Sequence, residues 1–307
     1  MPRARAGRRA ALTGAALFLA AGLATALAPD EPIVCGACAH WNAPQDPVHI
    51  YGNTYDVGVA GLSVILIRGQ QGSILIDGAL PQSVPLILEH LARLGVRAAS
   101  VRVILNSHTH FDHAGGIAAL QRATGAEVRA SAASARALES GGPTPDDPQY
   151  ASPDNHFAPV MHVHVIADGE TVQVGGVGVT AHFTPGHTPG STSWTWRSCE
   201  GTHCLDMVYA DSLSAVSAQG FRFTAGGPER LEAFNHSIDL VGALPCDVLL
   251  SPHPENFDLE GKLEARRQHP DRNPFIDATA CKRYADEARR RLRARVAAEL
   301  GGRAPAT

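Results

Sequence analysis

The sequence predicts an α/β fold, because segments with strand patterns alternate with segments of helical spacing along most of its 307 residues. Two short apolar runs, 62–67 and 73–77, flank Gly69 to Gly72, which predicts a pair of strands joined by a turn. Apolar positions over 82–94 follow helical spacing and stop at Gly95, which predicts a helix. A chain of this length can bury a large core, and we expect a single domain.

The same alternation continues towards the C-terminus. The run 101–105 predicts a buried strand, and Gly115 and Gly116 precede a helix that ends at about Thr124. Residues 139–160 contain seven glycines and prolines, so they predict a long loop of the kind that often covers a functional site. The remaining predicted elements are strands within 171–183 and at 193–196, 207–210 and 247–250, and helices at about 228–243 and 277–299.

The first 28 residues are typical of a secretory signal. Four arginines precede an apolar run from Ala10 to Ala28, and cleavage after Ala26 or after Ala28 fits the pattern. An uncleaved anchor is the alternative, but the run is rich in alanine and glycine and barely long enough to span a bilayer. We therefore expect residues 29–307 to form a mature, monomeric, periplasmic domain without a membrane segment.

The mature chain is expected to be acidic. Loss of the four arginines takes the formal net charge from −4 to −8, because the signal segment holds no acidic residue. A chain of this charge argues against a nucleic-acid partner.

Six cysteines in an exported protein predict disulfides rather than metal thiolates. Cys199 and Cys204 bracket a short loop that one bridge could close. Cys246 precedes a predicted strand and Cys281 lies on the last helix, so a bridge between them would fasten that helix to the sheet. The pair at 35–38 is either a small structural loop or a redox motif, and we favour the loop because no thioredoxin-like pattern surrounds it.

Four side chains that can bind metals fall within six residues, directly after the buried run 101–105: His108, His110, Asp112 and His113. Residues i and i+2 of an extended segment project to the same side, so the first two can bind one ion. The other two, beyond a bend, can reach a second ion.

Two further histidines favour this interpretation over a surface loop that is rich in histidine by chance. His187 lies in the turn P-G-H-T-P-G and His253 in the sequence S-P-H-P, each just beyond an apolar stretch that should deliver it to a sheet edge. The sequence therefore predicts two metal ions side by side, held by residues from separate segments.

These six residues, together with the segments 50–54, 193–199 and 209–214, resemble the metallo-β-lactamase superfamily and, within it, the third subclass of class B β-lactamases. The similarity covers nearly all of the chain from about Trp41 onwards. It implies a four-layer αβ/βα sandwich, and it implies two zinc ions as cofactors.

The resemblance also implies a role for individual residues. The first zinc ion would be bound by three residues, His108, His110 and His187. The second would be bound by three others, Asp112, His113 and His253. Three residues would contact the substrate, the serines through its carboxylate: Ser212, Ser214 and Gln149. Asp77 would be a buried carboxylate that orients a ligand histidine. Asp211 is left open between a structural role and the metal-bridging role that an aspartate has in other hydrolases of the superfamily.

The function that the resemblance implies is hydrolysis of the β-lactam amide of penicillins, cephalosporins and carbapenems, which gives antibiotic resistance. A hydroxide shared by the two zinc ions would attack the carbonyl carbon, with Asp112 orienting it. Another exported dizinc hydrolase, such as a lactonase or thioesterase, is the alternative, since it shares the motif. A purely structural zinc protein is disfavoured, because six ligands shared by two ions leave positions open for water. Serine β-lactamase chemistry is excluded, because neither Lys262 nor Lys282 has a serine three positions earlier.

Overall fold

The computed structural model describes Met1 and residues 31–301, so the predicted secretory signal, apart from Met1, and its cleavage site lie outside the described residues. Within 31–301 the chain forms twelve strands: β1 (Val48–Tyr51), β2 (Thr54–Asp56), β3 (Ile65–Gly69), β4 (Gly72–Ile76), β5 (Val101–Leu105), β6 (Glu127–Ala130), β7 (Val163–Val165), β8 (Thr171–Val174), β9 (Val177–Phe183), β10 (Thr192–Glu200), β11 (His203–Tyr209) and β12 (Val248–Leu250).

Eight α-helices lie in the same described range: α1 (Cys38–Trp41), α2 (Val84–Arg93), α3 (Phe111–Ala114), α4 (Ile117–Thr124), α5 (Ala132–Ser140), α6 (Pro228–Ala243), α7 (Leu259–Gln268) and α8 (Ala280–Leu300). None of these described helices is both long enough and apolar enough to cross a membrane.

The strands form two sheets. The first has seven strands in the order β1 to β7, antiparallel from β1 to β4 and parallel from β4 to β7. The second has five strands in the order β12-β11-β10-β9-β8 and is antiparallel except for the parallel pair of β11 and β12. The parallel pairs require crossover connections, which here pass through helices such as α2 and α6.

The alternation of side chains between the two faces of β3 shows how the layers stack. Ile65 and Ile67 belong to the hydrophobic cluster that contains Trp194 of the second sheet, whereas Leu66 belongs to the cluster that contains Ile87 of α2. Successive side chains of a strand point to opposite faces, so the first sheet has one face on the second sheet and the other on helices.

The second sheet is covered in the same way on its outer face. Phe234 and Ile238 of α6 and Leu292 of α8 pack into the cluster that contains β11 and β12 residues. The order of layers is therefore helix, sheet, sheet, helix, which confirms the predicted four-layer αβ/βα sandwich.

The long elements lie close to their predicted positions. Residues 101–105 and 228–243 coincide with β5 and α6, and the loop predicted at 139–160 contains neither helix nor strand after Ser140. The elements that the sequence pattern missed are short or weakly apolar: β1, β2, β6, β7, α1, α3, α5 and α7. In α7 only Leu259 is buried, so the helix presents no apolar stripe that could predict it.

All six cysteines form disulfides, joining Cys199 to Cys204, Cys246 to Cys281 and, in the segment 35–38, Cys35 to Cys38. Cys199 and Cys204 are direct partners across the β10–β11 hairpin, so the bridge lies within the hairpin rather than beyond the strands. The bridge from Cys281 fastens the first turn of α8 to Cys246, two residues before β12, as the sequence predicts.

Candidate metal centre

Three segments at the ends of strands bring the metal-capable side chains together. His108 and His110 follow β5, and α3 begins directly after His110, so Asp112 and His113 lie on a helical turn rather than beyond a simple bend. His187 follows β9 and His253 follows β12. These loops all leave the sheets at the same edge of the sandwich, which is why residues far apart in sequence converge there.

Gly186 allows the turn that carries His187 to lie against α6. A Cβ atom at this position would lie 2.4 Å from the ring of Phe234. Only glycine, which has no side chain, permits this approach of the turn to the helix. The glycine in P-G-H-T-P-G is therefore explained by packing.

Two groups of potential metal-binding atoms form at this edge. Donor atoms of His108, His110 and His187 lie within 4.8 Å of one another, and so do donor atoms of His108, Asp112 and His113. The side chain of His253 completes the second group, because its Nε2 lies 3.2 Å from Nε2 of His113 and 3.4 Å from Oδ2 of Asp112. All six side chains predicted from the sequence are thus brought together.

Hydrogen bonds behind three of the histidines select the nitrogen that faces the centre. Nδ1 of His108 donates to Oδ1 of Asp211 at 2.7 Å, Nδ1 of His187 donates to the carbonyl of Ser214 at 2.8 Å, and Nδ1 of His253 donates to the carbonyl of Gly61 at 3.2 Å. A neutral imidazole that donates from Nδ1 keeps its lone pair on Nε2, so each ring presents a metal-binding nitrogen to the centre.

His110 differs from these three histidines, because both of its ring nitrogens contact residues of the long loop. Its Nε2 lies 3.2 Å from Oδ1 of Asp147, and its Nδ1 lies 3.3 Å from the amide nitrogen of Gln149. The same Asp147 oxygen accepts a hydrogen bond from the backbone amide of Gln149 at 2.7 Å. The long loop therefore contributes directly to the orientation of this histidine, a link that the sequence pattern did not reveal.

The charges of the centre suit a cation. Burial lowers the pKa of His108, His113 and His187, so these rings are neutral and can act as ligands. Burial also tends to raise the pKa of Asp112, but His113 and His253 outweigh that effect and hold it well below its usual value. The result is an ionised carboxylate among imidazoles, a ligand set that zinc prefers.

The centre opens into a cleft of about 830 Å³, a volume typical of small-molecule sites. The residues predicted to contact substrate, Gln149, Ser212 and Ser214, all line this cleft. Trp41 forms another part of the wall, with its ring centroid 5.4 Å from that of His253. Its position could not be inferred from spacing, because α1 lies more than 200 residues before His253 in the sequence.

Asp77 and Asp211 lie in different positions relative to the histidines. Asp77 accepts hydrogen bonds from the amide and hydroxyl of Ser107, at 2.7 and 2.6 Å, and from the hydroxyl of Tyr209 at 2.7 Å. Burial raises the pKa of Asp77 to about 7. Asp77 is linked to His108 through Ser107 and Asn106, whereas Asp211 bonds directly to the ring of His108.

The fold and the two adjoining groups of donor atoms define a metal-binding type of protein built on an α/β sandwich. Residues 57–253 match the sequence model of the family described as the metallo-beta-lactamase superfamily, and the chain belongs to that superfamily.

Solved structures agree with this family. The chain is 48% identical to the Rm3 metallo-beta-lactamase, over 87% of this chain and 99% of that one, with a TM-score of 0.84. It is 47% identical to MEM-A1, a subclass B3 metallo-beta-lactamase from a soil metagenome library, over 86% of this chain and all of that one, with a TM-score of 0.82. The resemblance to the third subclass is thus confirmed.

The chain matches a smaller part of the length of its curated relatives. The chain is 29% identical to the hydroxyacylglutathione hydrolase of Cereibacter sphaeroides, over 52% of this chain and 51% of that protein. The chain therefore spans about half the length of this relative, and the match adds a second hydrolase to be weighed.

Proposed function

We propose that this protein is a zinc-dependent β-lactamase that hydrolyses the amide bond of penicillins, cephalosporins and carbapenems. The observation that carries the proposal is the pairing of two donor groups at the floor of a cleft whose wall contains Ser212 and Ser214. Metals can activate the carbonyl and the water, while serine hydroxyls beside them can hold the carboxylate that β-lactam antibiotics carry.

Two zinc ions are the proposed cofactors. His108, His110 and His187 would bind the first ion, and Asp112, His113 and His253 the second. The close approach of the ring nitrogens of His113 and His253 supports this assignment, since two such nitrogens and a carboxylate oxygen within 3.4 Å form a natural cation site. Bound zinc supplies a Lewis acid and lowers the pKa of water from 15.7 to about 7.

The protein's own residues would bind and orient the reactants. The ionised carboxylate of Asp112 lines the cleft and can accept a hydrogen bond from the attacking water, which orients its lone pair towards the carbonyl carbon. Ser212 and Ser214 would donate hydrogen bonds to the substrate carboxylate. Gln149 reaches the cleft from the long loop and would contact the substrate from the opposite side.

The decisive experiment is hydrolysis of a chromogenic cephalosporin and of a carbapenem by purified protein loaded with zinc. We expect turnover of both substrates, loss of turnover with a chelator and recovery when zinc is added. A lactone and a glutathione thioester serve as competing substrates in the same assay. Absence of β-lactam turnover by zinc-loaded protein that cleaves either competitor would overturn the proposal.

A thioesterase or lactonase is the second candidate, and the match to hydroxyacylglutathione hydrolases supports it. The position of Asp211 favours the β-lactamase. An aspartate that bridges two metals must face both donor groups, but Asp211 is fully buried and its Oδ1 bonds to Nδ1 of His108, on the side of the ring away from Nε2. Asp211 is therefore placed to orient a ligand rather than to bridge two ions.

We also propose that the mature protein acts in the periplasm. The predicted secretory signal and the three disulfides support export, because disulfides persist in oxidising compartments. Fractionation of producing cells, with N-terminal sequencing of the purified protein, tests export and the cleavage site together. Light scattering on the same sample tests the expected monomer.

A further inference from the structure

The segment that carries the two serines has no regular secondary structure of its own. Between β11 and the short 3₁₀ helix at Phe223–Gly226, residues 210–222 form neither helix nor strand. Helix α8 packs behind this segment and supplies hydrogen bonds to it at several points. Arg295, for example, donates to the carbonyl of Ala215 at 3.2 Å and to the hydroxyl of Ser217 at 2.8 Å.

The hydroxyl of Tyr284 makes the contacts nearest to the serines. It donates to the carbonyl of Asp211 at 3.0 Å and accepts from the backbone amide of Leu213 at 3.1 Å. These two groups flank Ser212 in the chain. A single hydroxyl thus holds the backbone on both sides of a residue that lines the cleft.

The same short stretch also contacts two histidines of the metal centre. The side chain of Asp211 accepts from His108 at 2.7 Å, and the carbonyl of Ser214 accepts from His187 at 2.8 Å. Within the described segment between β11 and α6, only residues 211–214 contain both the serines that line the cleft and the groups that bond to the histidines. Tyr284 bonds to the backbone of these residues.

Tyr284 is itself firmly placed. It lies one helical turn after Cys281, whose disulfide to Cys246 fastens the start of α8 beside β12. Burial raises the pKa of Tyr284 to about 12, so the hydroxyl keeps its proton, and with it both hydrogen bonds, throughout the pH range of the enzyme. The ring is half-buried and lines the cleft.

We propose that Tyr284 is a positioning residue for substrate binding: its hydroxyl sets the backbone of residues 211–214 so that Ser212 and Ser214 face the cleft. The inference rests on the proposed function in that the serines are taken to bind the substrate carboxylate. In this role the hydroxyl of Tyr284 bonds to the backbone of the segment rather than to substrate or metal. Its loss should therefore weaken substrate binding more than it slows the chemical step.

The test is the substitution Tyr284→Phe, which keeps the ring and removes only the hydroxyl. We expect KM for a carboxylate-bearing cephalosporin to rise about tenfold, equivalent to one hydrogen bond of about 1.4 kcal/mol, with kcat changed less than about threefold. Zinc content should stay at that of the wild type. The matched control is Tyr51→Phe, because Tyr51 is also buried and its hydroxyl donates to a backbone carbonyl, that of His203, at 3.2 Å outside the cleft. It should change neither constant.

A second readout separates this inference from the proposed function. Hydrogen exchange of the Leu213 amide should be faster in Tyr284→Phe than in the wild type and unchanged in Tyr51→Phe, whatever the substrate of the enzyme is. If the wild type fails to hydrolyse β-lactams, the proposed function is wrong, and the exchange rate alone decides whether Tyr284 holds the segment. Unchanged exchange, or a fall in kcat with lost zinc and unaltered KM, would overturn the inference.

Discussion

Asp211 accepts a hydrogen bond from Nδ1 of His108 at 2.7 Å, and both side chains are almost completely excluded from solvent. The contact joins residues 103 positions apart in the chain. It directs the Nε2 lone pair of His108 towards the centre of the donor groups. Groups in this position orient a ligand and raise its basicity, so their loss weakens metal binding.

Replacement of Asp211 by alanine should therefore lower the affinity of the first metal site by about 10- to 100-fold. Titration of the zinc-free protein in competition with a chromophoric chelator measures this change. Asp247→Ala is a suitable control, because it removes a half-buried carboxylate that bonds to the amide of Asp206 outside the cleft lining. Equal affinities in Asp211→Ala and the wild type would show that the hydrogen bond does not support metal binding.

Replacement of His253 by alanine should empty the second metal site. Asp112 and His113 would remain without their third partner, so we expect zinc content to fall from two ions to one per chain. Turnover should fall by about 100-fold or more, because loss of a residue that only orients a ligand already costs about 10- to 100-fold. Metal analysis after gel filtration, together with initial rates, gives both numbers. The exposed His269→Ala provides the control. Two zinc ions retained at full rate would mean that His253 is not a ligand.

The disulfides should contribute unequally to stability. Cys246 and Cys281 are 35 residues apart, whereas Cys199 and Cys204 are only five apart. The loop-closure estimate gives about 4 kcal/mol for the longer loop and about 2 kcal/mol for the shorter one. Urea unfolding of the two double-alanine variants should show the greater loss for the pair at 246 and 281. The reverse order would contradict the estimate and point to strain or to structure in the unfolded chain.

Asp56 should make stability fall as the pH rises. It is buried in β2, and burial raises its pKa from 3.8 to about 6, despite hydrogen bonds from the amides of Gly58 and Val64. A carboxyl group with a raised pKa stabilises the folded state fully below its unfolded pKa. This contribution is lost as the pH rises from 3.8 towards 6, because the unfolded chain then ionises the carboxyl group while the folded protein keeps it protonated. The shift corresponds to about 3 kcal/mol.

Comparison with Asp56→Asn isolates this effect from the other carboxyl groups. Urea unfolding of both zinc-free proteins between pH 4 and pH 7 should show the wild type losing about 2 kcal/mol relative to the variant, because part of the full effect is already lost at pH 4. Zinc must be absent so that metal binding adds no pH dependence of its own. A constant difference across this range would show that folding does not shift the pKa of Asp56.

Local pattern and family resemblance determined much of this protein. Residues 101–105 are apolar at four of their five positions, with Arg102 as the exception, so they predict a buried strand, and the residues that follow such a strand lie at a sheet edge. The spacing of His108, His110, Asp112 and His113 is likewise local, and metal ligands leave a clear signature in residue type. The convergence of the six side chains could therefore be predicted from these local patterns, whereas the four-layer sandwich was implied by the family resemblance.

Only the tertiary structure showed which groups form the hydrogen bonds that orient those side chains and the segment beside them. Asp211 on His108, Asp147 on His110 and Tyr284 on the backbone of Leu213 all join segments that are distant in sequence. A hydrogen bond between such segments depends on how sheets and helices pack, and it requires no particular spacing or composition in either segment. The ligands can therefore be inferred from the chain itself, while the contacts that orient them follow from the folded arrangement of the chain.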